Sequence, residues 1–570
     1  MNLLNNIQHN TKKQFWLFVS VLVFLTLFTM YCCSPTTSYW GYDFFFHLRR
    51  FDVLIEALKN GSYPMYFDYS NIDGYGYFTK GFYPDITLLP FALVGTFTGT
   101  YFAYDFMIFT MTILCGVFAY KAVNTIIKSP FAASVAAILY TFATYRLYDV
   151  YHRFALGEAL SFTFLPLIFL GLYHIIAGDY KKWYILAIGY SLLIYTHLIS
   201  SVLTFFMLIP FLLYYYKRFI KEPKRFLYLL LAAVVTLLIV SYYIFPTLEQ
   251  MASNIFYYET RSPGGPIVHN KLPYNLVAWG FINGLAYPKD EFFCGTGILL
   301  TIAILLRIFI RGKSSKLRMV DIGVLVGILC IIGTFKEFPW GRPPFSYLGF
   351  IQYPARLYEF TTVFFALAGG YYLSEILKNS KQRFIAFVII IVATMGVIVN
   401  HSIIFKELFA QNRFRYYEGV ADKNPTIDNK YHLIGQEYIP DRVPSVEFLH
   451  QRGLKVEHMN EDTKIENLRR ENKYTIFDVS VNKADSLELP LLFYKGYNVI
   501  LNQKEIPVTQ SKNGLIEVPV NQSGEVKAYY KGTTIQWVSF CISILCIFGL
   551  CIYIFLSKKK PKQPEKGINI

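Results

Sequence analysis

Long apolar runs alternate with short basic segments along most of the chain. About twelve of these runs are long enough to predict membrane-spanning helices. They lie near 14–33, 101–123, 130–145, 159–177, 183–199, 201–216, 226–245, 294–310, 319–334, 358–377, 384–404 and 534–556. One more run, 84–99, is short and is interrupted by Pro90 and Gly95.

The basic segments predict the orientation of the chain, because Lys and Arg are enriched in cytoplasmic loops of membrane proteins. The seven segments are 12–13, 121–128, 181–182, 217–225, 307–318, 378–383 and 558–560. All seven fall inside, together with the N-terminus, only if the run 84–99 does not cross. We therefore expect an interfacial or re-entrant helix there and two cytoplasmic termini. The loops then predicted outside are 34–100, 146–158, 246–293 and 335–357.

The polar segment 406–533 differs in character from the rest of the chain. Stretches such as "YTIFDVSVN", "GLIEVPV" and "GEVKAYYKG" alternate apolar and polar residues, as half-buried strands do. The sequence thus predicts a multi-span membrane domain over 1–405 and a small extracytoplasmic β-rich domain over 406–533. Residues 534–570 would add a final span and a basic cytoplasmic tail. The first span, 14–33, lacks a small-residue cleavage site and is expected to be retained.

Composition agrees with a polytopic membrane protein. Of 570 residues, 54% are hydrophobic and only 16% are charged, whereas soluble domains have about a quarter charged. The net charge of +16 is explained by cytoplasmic loops, and no nucleic-acid motif accompanies it. The eight cysteines lie in or beside apolar runs, so neither a disulfide framework nor a thiolate metal site is predicted.

The first outer loop begins with "GYDFFFHLRRFDVLIEALKNG", which predicts a short helix that starts at Asp43 and ends at Asn60-Gly61. Asp43, His47 and Arg50 have the spacing i, i+4, i+7 and share one face of it. A polar face among phenylalanines at the membrane surface indicates a site. The alternatives are that Asp43 only caps the helix and that the arginine pair at 49–50 anchors to lipid phosphates.

Other charged residues converge on the same outer face under this topology. Asp73 and Lys80 follow in the first loop, and Arg146, Asp149, His152, Arg153 and Glu158 lie in the second. His197 ends one span, and Arg356 begins another. Each has a structural alternative as an interfacial anchor, a helix-end pair or a hydrogen-bonded polar residue. The many tyrosines and phenylalanines are interpreted as an aromatic belt.

Four stretches carry a family resemblance: "GYDFFFHLRRFDVLIEALKNGSYP", "GYGYFTKGFYP", "YRLYDVYHRFALGEALSFTFLPL" and "QYPARLYEF". In their order along nearly the whole chain they resemble YfhO-like bacterial membrane proteins, in the group labelled 6-pyruvoyl-tetrahydropterin synthase-related. Nothing in the sequence supports pterin chemistry. These proteins are similar in plan to GT-C glycosyltransferases, which have many spans, a catalytic acid in the first outer loop and often an extracytoplasmic domain.

The resemblance implies roles for particular residues. The first-loop acid corresponds to Asp43, a second acid to the region of Glu158, and the basic residue at the lipid phosphate to Arg153 or Arg356. The catalytic candidates are Asp43, His47 and Glu158, and the substrate-binding candidates are Arg50, Lys80, Arg153, His197 and Arg356. The tandem acidic pair of many GT-C enzymes is missing, so a divalent metal cofactor stays an open alternative.

The leading hypothesis is an inverting glycosyltransferase on the outer face. It would move a sugar from a polyprenyl-phosphate donor in the bilayer to a cell-envelope acceptor such as a cell-wall glycan or teichoic acid. The second hypothesis is a non-catalytic protein that binds or translocates a lipid-linked glycan. An ion-coupled transporter is disfavoured, because ionisable residues avoid the middle of the predicted spans.

Overall fold

The computed structural model describes residues 11–33, 43–63, 66–69, 71–261, 271–286, 293–410, 436–471 and 473–559. Helices dominate the first part of the chain. Helices α1 to α10 are Thr11–Cys33, Phe44–Lys59, Thr79–Phe82, Leu89–Thr98, Thr100–Ile127, Pro130–Thr141, Thr144–Tyr148, Leu156–Ile176, Tyr184–Ile194 and Leu198–Tyr214. Helices α11 to α21 are Tyr216–Lys221, Pro223–Ile239, Ser241–Ser253, Tyr257–Thr260, Tyr274–Ile282, Gly297–Leu305, Ser315–Thr334, Tyr358–Ile376, Ser380–Ala410, Val446–Arg452 and Thr534–Lys559.

Shorter helical turns connect these elements. A π-helix spans Asp149–Arg153, and 3₁₀-helices span Tyr180–Lys182, Leu306–Phe309, Phe345–Ile351 and Pro354–Leu357. Strands β1 to β11 are Leu285–Ala286, Phe293–Cys294, Glu457–His458, Lys464–Glu471, Tyr474–Ser480, Asp485–Leu492, Tyr497–Leu501, Lys504–Ile506, Thr509–Gln510, Leu515–Val520 and Gly524–Tyr530.

Six of the described helices are long and apolar enough to cross a membrane, namely α1, α5, α8, α17, α19 and α21. The pair α12 and α13 adds a seventh if it is one span, and it is bent by 66° at its break. The chain is therefore a mostly helical membrane protein, but the number of about twelve spans is not confirmed. Several predicted runs fold as shorter apolar helices, including α10 with 17 residues. A straight helix needs about 20 residues to cross a bilayer.

The run 84–99 folds as the ten-residue helix α4, which is about 15 Å long against a hydrocarbon core of about 30 Å. It packs against α2 and α5. Gly99, with φ +87°, makes the turn between α4 and α5, a conformation that favours glycine. This length suits the interfacial helix that the basic segments predict.

Small residues bring the central helices together. A Cβ atom on Gly370 of α18 would lie 2.3 Å from the carbonyl oxygen of Ala132 in α6. Close backbone approach through Gly and Ala is typical of helix pairs in membranes. There, the hydrophobic effect does not drive helices together, because lipid tails are as apolar as the side chains, and close packing does so instead. It sets α6 and α18 side by side beneath the candidate site.

The strands after residue 456 form a β-sandwich. One antiparallel sheet has the order β4-β5-β11-β7-β8 and the other the order β3-β6-β10-β9. Alternate residues point inward, as the pleat requires: Phe477 and Val479 of β5 belong to the same buried core as Leu487 and Leu489 of β6. The predicted β-rich region near the C-terminus is confirmed.

The first loop packs directly on this sandwich. Tyr75 and Tyr77 are fully buried, and the Leu492 N–H donates to the Tyr75 carbonyl at 3.1 Å. The ring of Phe82 stacks on Tyr438 with centroids 3.9 Å apart. These aromatic side chains are the core of an interface, so the interpretation of the loop's rings as a lipid belt is wrong for them. Loop and sandwich must lie on the same side of the membrane.

Cysteine labelling tests this shared side. Ser62 and Asn482 are exposed positions in the loop and in the sandwich. In intact cells, Ser62→Cys and Asn482→Cys should respond alike to a membrane-impermeant maleimide, with Lys313→Cys in a predicted cytoplasmic loop as the comparison. Labelling of one of the first two and protection of the other would contradict the docked arrangement.

Candidate functional site

Asp43 sits at the start of α2, but its carboxylate does not cap the helix. The residue has φ −109° and ψ 2°, and its side chain makes no cap hydrogen bond. Its backbone N–H donates instead to the Arg153 carbonyl at 3.1 Å. Helix capping therefore does not explain why an aspartate stands here, and the start of α2 is attached to the loop that carries Arg153.

The second loop has an unusual backbone. Residues Asp149–Arg153 form a π-helix, and Phe154 follows with φ +53°. The Ala155 N–H reaches back to the Asp149 carbonyl at 3.1 Å. π-turns and left-handed non-glycine residues cost free energy and concentrate at functional sites. Here they turn the backbone so that the Arg153 carbonyl accepts from the Asp43 N–H while the Arg153 side chain donates to Glu158.

Glu158, in the first turn of α8, accepts hydrogen bonds from three side chains. Tyr145 Oη donates to Oε1 at 2.6 Å. Arg153 Nη1 and Arg356 Nε donate to Oε2 at 2.9 and 3.1 Å. The side chain is only 1% exposed, so these bonds replace its lost hydration. A carboxylate held in this way positions its neighbours rather than accepting a substrate proton.

The two arginines keep one edge open. Arg153 Nη1 also donates to Asp149 at 3.1 Å, and Arg356 Nη1 donates to the Ile351 carbonyl at 2.6 Å. Both guanidinium groups lie over the ring of Tyr353, at 5.7 and 5.4 Å. In the described part of the chain, Nη2 of neither arginine has a hydrogen-bond partner. Two guanidinium edges side by side are suited to phosphate oxygens.

Asp43 lies in the field of this cluster. Burial raises the pKa of its carboxyl above the ordinary value; the charges of Arg153 and Arg356 work against that rise, and Glu158 adds to it. The cations that act on this pKa thus come from other segments than the helix face that Asp43 shares with His47 and Arg50, and burial outweighs both of them.

The two predicted histidines face the same cluster. Burial lowers the pKa of His47 well below its usual value, and Arg50, His197 and Arg153 lower it further. A Cβ atom on Gly157 would lie 3.2 Å from Cδ2 of His197, so His197 packs against the turn that carries Glu158. The structure thus brings together six of the eight predicted site residues: Asp43, His47, Arg153, Glu158, His197 and Arg356.

Arg50 and Lys80 belong to a neighbouring group. Arg50 Nε lies 3.3 Å from Oδ1 of Asp85, and Lys80 Nζ lies 2.7 Å from Oδ2. Lys80 Nζ also donates to the Arg50 carbonyl at 2.8 Å. Both cations share the one Asp85 carboxylate, and the trio joins α2 to α3 of the first loop. His47, whose Nδ1 is 3.4 Å from Arg50 Nη1, links this group to the cluster.

The remaining charged residues of the loops have structural partners. Asp73 meets His450 of the sandwich at 2.8 Å. Arg146 donates to the Thr141 carbonyl and to Thr112 in the helical core, and His152 packs with its ring 4.4 Å from that of His401.

One buried acid of the site is not among the residues predicted from the sequence. Glu359 follows Arg356 by three residues and is fully buried at the start of α18. Ser161 Oγ is hydrogen-bonded to its Oε1, and Ser200 Oγ lies 2.7 Å from its Oε2. The sequence signal that could have identified Glu359 is its place inside a predicted span. Burying an ionisable residue in a span is costly, and such residues are usually functional.

The described residues contain no group of three or more His, Cys, Asp or Glu side chains arranged to hold a metal ion. Comparison with protein-family models and with curated proteins finds no match to this chain.

Removal of the Glu158 carboxylate tests whether it holds Arg153 and Arg356 in place. Glu158→Ala leaves Arg153 and Arg356 buried without their shared anion, and breaking a buried ion pair costs about 3–5 kcal/mol. We expect a clearly lower thermal midpoint for the purified protein. The control is Glu375→Ala, whose pair with Lys378 is exposed and worth little. Equal midpoints for the two variants would contradict the anchoring role of Glu158.

Proposed function

We propose that the protein is a GT-C-type membrane glycosyltransferase that moves a sugar from a polyprenyl-phosphate donor to a cell-envelope acceptor. The supporting observation is the pairing of an unoccupied carboxylate with two open guanidinium edges. No hydrogen bond to the Asp43 side chain is found among the described residues, and it lies in the field of Arg153 and Arg356. Base and phosphate clamp are the two parts that this transfer needs.

Asp43 is the proposed base. The acceptor hydroxyl transfers its proton to the Asp43 carboxylate as its oxygen attacks the anomeric carbon of the donor. The raised pKa suits this role, because a base works best when its pKa approaches the operating pH. His47, three residues before Arg50 on the same helix, orients the acceptor or the carboxylate.

Arg153 and Arg356 are the proposed phosphate ligands. As the bond from the anomeric carbon to the phosphate oxygen breaks, its electron pair stays on that oxygen. Two cations held by Glu158 and by the stacked ring of Tyr353 then stabilise the departing charge without moving. Arg50 and Lys80 act indirectly, because they fix the position of α2 through their ion pairs with Asp85.

The remaining parts of the proposal concern topology. About twelve spans, two cytoplasmic termini and an outer β-sandwich would place Asp43 at the outer interface, where the donor phosphate lies while its polyprenyl tail stays in the bilayer. The sandwich, which docks on the first loop, would present a glycan or teichoic-acid acceptor. A divalent metal is not needed for the step as written.

The alternative is a protein that binds or translocates a lipid-linked glycan without chemistry. The open arginine edges would serve it equally well. The unbonded carboxylate of Asp43 favours the enzyme, because a negative charge beside a phosphate site opposes binding and is useful only to take a proton.

Asp43→Asn tests the base. Asparagine preserves the fold, because the side chain makes no cap bond, but it removes the proton acceptor. We expect sugar incorporation into the envelope to fall about 10²–10⁴-fold at matched expression. Asp52→Asn, on the same helix and paired with Arg49, is the control and should stay near wild type. Full activity of Asp43→Asn would end the catalytic role.

The pH dependence follows from the same residue. Because burial raises the Asp43 pKa above 3.8, the ionised base is present above the shifted value and is lost as the external pH falls through it. Arg356 lowers this pKa, so Arg356→Gln should move the acid limb of activity to higher pH. Arg356→Lys keeps the charge and should leave the limb in place.

Arg356→Lys should nevertheless weaken donor use. An ammonium group cannot replace the planar fork that meets Glu158 and phosphate together. Loss of a charged hydrogen bond costs about 1.5–3 kcal/mol, or about ten- to hundred-fold in apparent donor affinity. Arg307→Lys, at the partly exposed pair with Asp321, is the control. An unchanged donor affinity in Arg356→Lys would assign Arg356 to structure alone.

A further inference from the structure

A hydrogen-bonded chain leads from the candidate site into the helical core. His197 Nδ1 lies 2.7 Å from Ser200 Oγ, and Ser200 Oγ lies 2.7 Å from Oε2 of Glu359. The chain joins the start of α10 to the start of α18. Proton transfer needs contacts of this length between groups that both donate and accept.

The inner end of the chain is a carboxyl group in an apolar setting. Glu359 is fully buried, and the described residues provide it with two serine hydroxyls but no ion pair. A buried carboxyl without a cation is much less costly when it carries a proton. The charged and titratable groups that face it include Glu158, Arg356, Asp149 and Tyr140.

The outer end of the chain is open. His197 Nδ1 is occupied by Ser200, since the Ser200 backbone N–H also lies within 3.3 Å of it. Its Nε2 has no hydrogen-bond partner in the described part of the chain. The charged groups around the ring are Arg356, Glu158 and Arg153, which are the proposed phosphate ligands and their anchor.

Two proton arrangements satisfy the chain. In the first, Glu359 donates to Ser200, Ser200 donates to Nδ1, and the His197 proton sits on Nε2. In the second, Glu359 is ionised, Ser200 donates to it, and Nδ1 donates to Ser200, which leaves Nε2 without a proton. The backbone contact from the Ser200 N–H to Nδ1 fits the first arrangement, because Nδ1 must then accept.

We propose that Glu359 is the proton reservoir of the site and that it supplies His197 through Ser200. The inference rests on the proposed glycosyl transfer. As the phosphate leaves, its oxygen takes the proton from His197 Nε2. Nδ1 takes the Ser200 hydroxyl proton, and Ser200 takes the proton of Glu359, which becomes a carboxylate.

This relay keeps the charge of the buried cluster constant. Asp43 gains the acceptor's proton and loses its negative charge, while Glu359 loses its proton and gains one. A net change of charge in a poorly solvated site is costly, and the relay avoids it. Asp43 then contacts the substrate, whereas Glu359 acts on it only through His197 and is a positioning residue.

The first test uses the full-length protein in lipid nanodiscs with no substrate added. Its histidines carry ¹⁵N, and the His197→Gln variant assigns the signal. In the wild type, the His197 tautomer should change from Nε2–H to Nδ1–H as rising pH removes the Glu359 proton. Glu359→Gln should abolish this change, and Ser161→Ala, which removes a Glu359 bond outside the relay, should keep it. Identical His197 titrations in wild type and Glu359→Gln would overturn the proposal.

The second test measures sugar incorporation by cells against external pH. Glu359→Gln and Ser200→Ala should each lower it about 10²-fold, and the double variant should be no worse, because both break one chain. The loss of activity at high pH in the wild type should disappear in Glu359→Gln. A multiplicative double variant or an unchanged basic limb would overturn the relay. If Asp43→Asn keeps full incorporation, the glycosyl transfer fails instead, and the NMR result still decides the proton chain.

Discussion

The burial of one carboxylate, that of Glu158, determines how the segments of the candidate site are arranged. An anion that is 1% exposed must be compensated, and its three donors come from three segments: α7, the π-helix and the 3₁₀-helix before α18. These bonds fix Arg153, whose carbonyl in turn holds the Asp43 N–H. The position of the proposed base is thus a consequence of how a neighbouring acid is neutralised.

The same constraint explains why so many acids share the site. Glu158 lies in the fields of Asp43, Asp149 and Glu359, and Arg153 and Arg356 are cations that face Asp43, Asp149 and Glu158. Burial raises the pKa of Asp149 well above its usual range, and the charge of Glu158 adds to this. Under the proposed relay, such a cluster of acids would exchange protons, which a purely structural ion-pair network would not need.

Much of this site could be predicted from the sequence, because hydropathy and basic loops place distant segments on one face. Six of the eight predicted residues converge as expected. Their roles were less accessible: spacing alone did not reveal that Asp85, 35 residues along the chain, pairs with Arg50, or that Glu158 accepts from three side chains. Glu359 was missed because it is the second residue of the apolar run 358–377, which predicts a span. Hydropathy likewise marks apolar runs but does not fix helix length, so the span number stayed open.

A continuous set of contacts connects the sandwich to Asp43. Tyr75 pairs with Leu492 of β6, and Phe82 stacks on Tyr438. Between these rings and α2 stands Lys80, which bonds both Asp85 and the Arg50 carbonyl. These buried contacts link the sandwich through α3 to α2, which begins directly after Asp43. Under the proposed function, an acceptor bound to the sandwich would therefore be held in packed contact with the helix at the base, while its reacting hydroxyl contacts Asp43 itself.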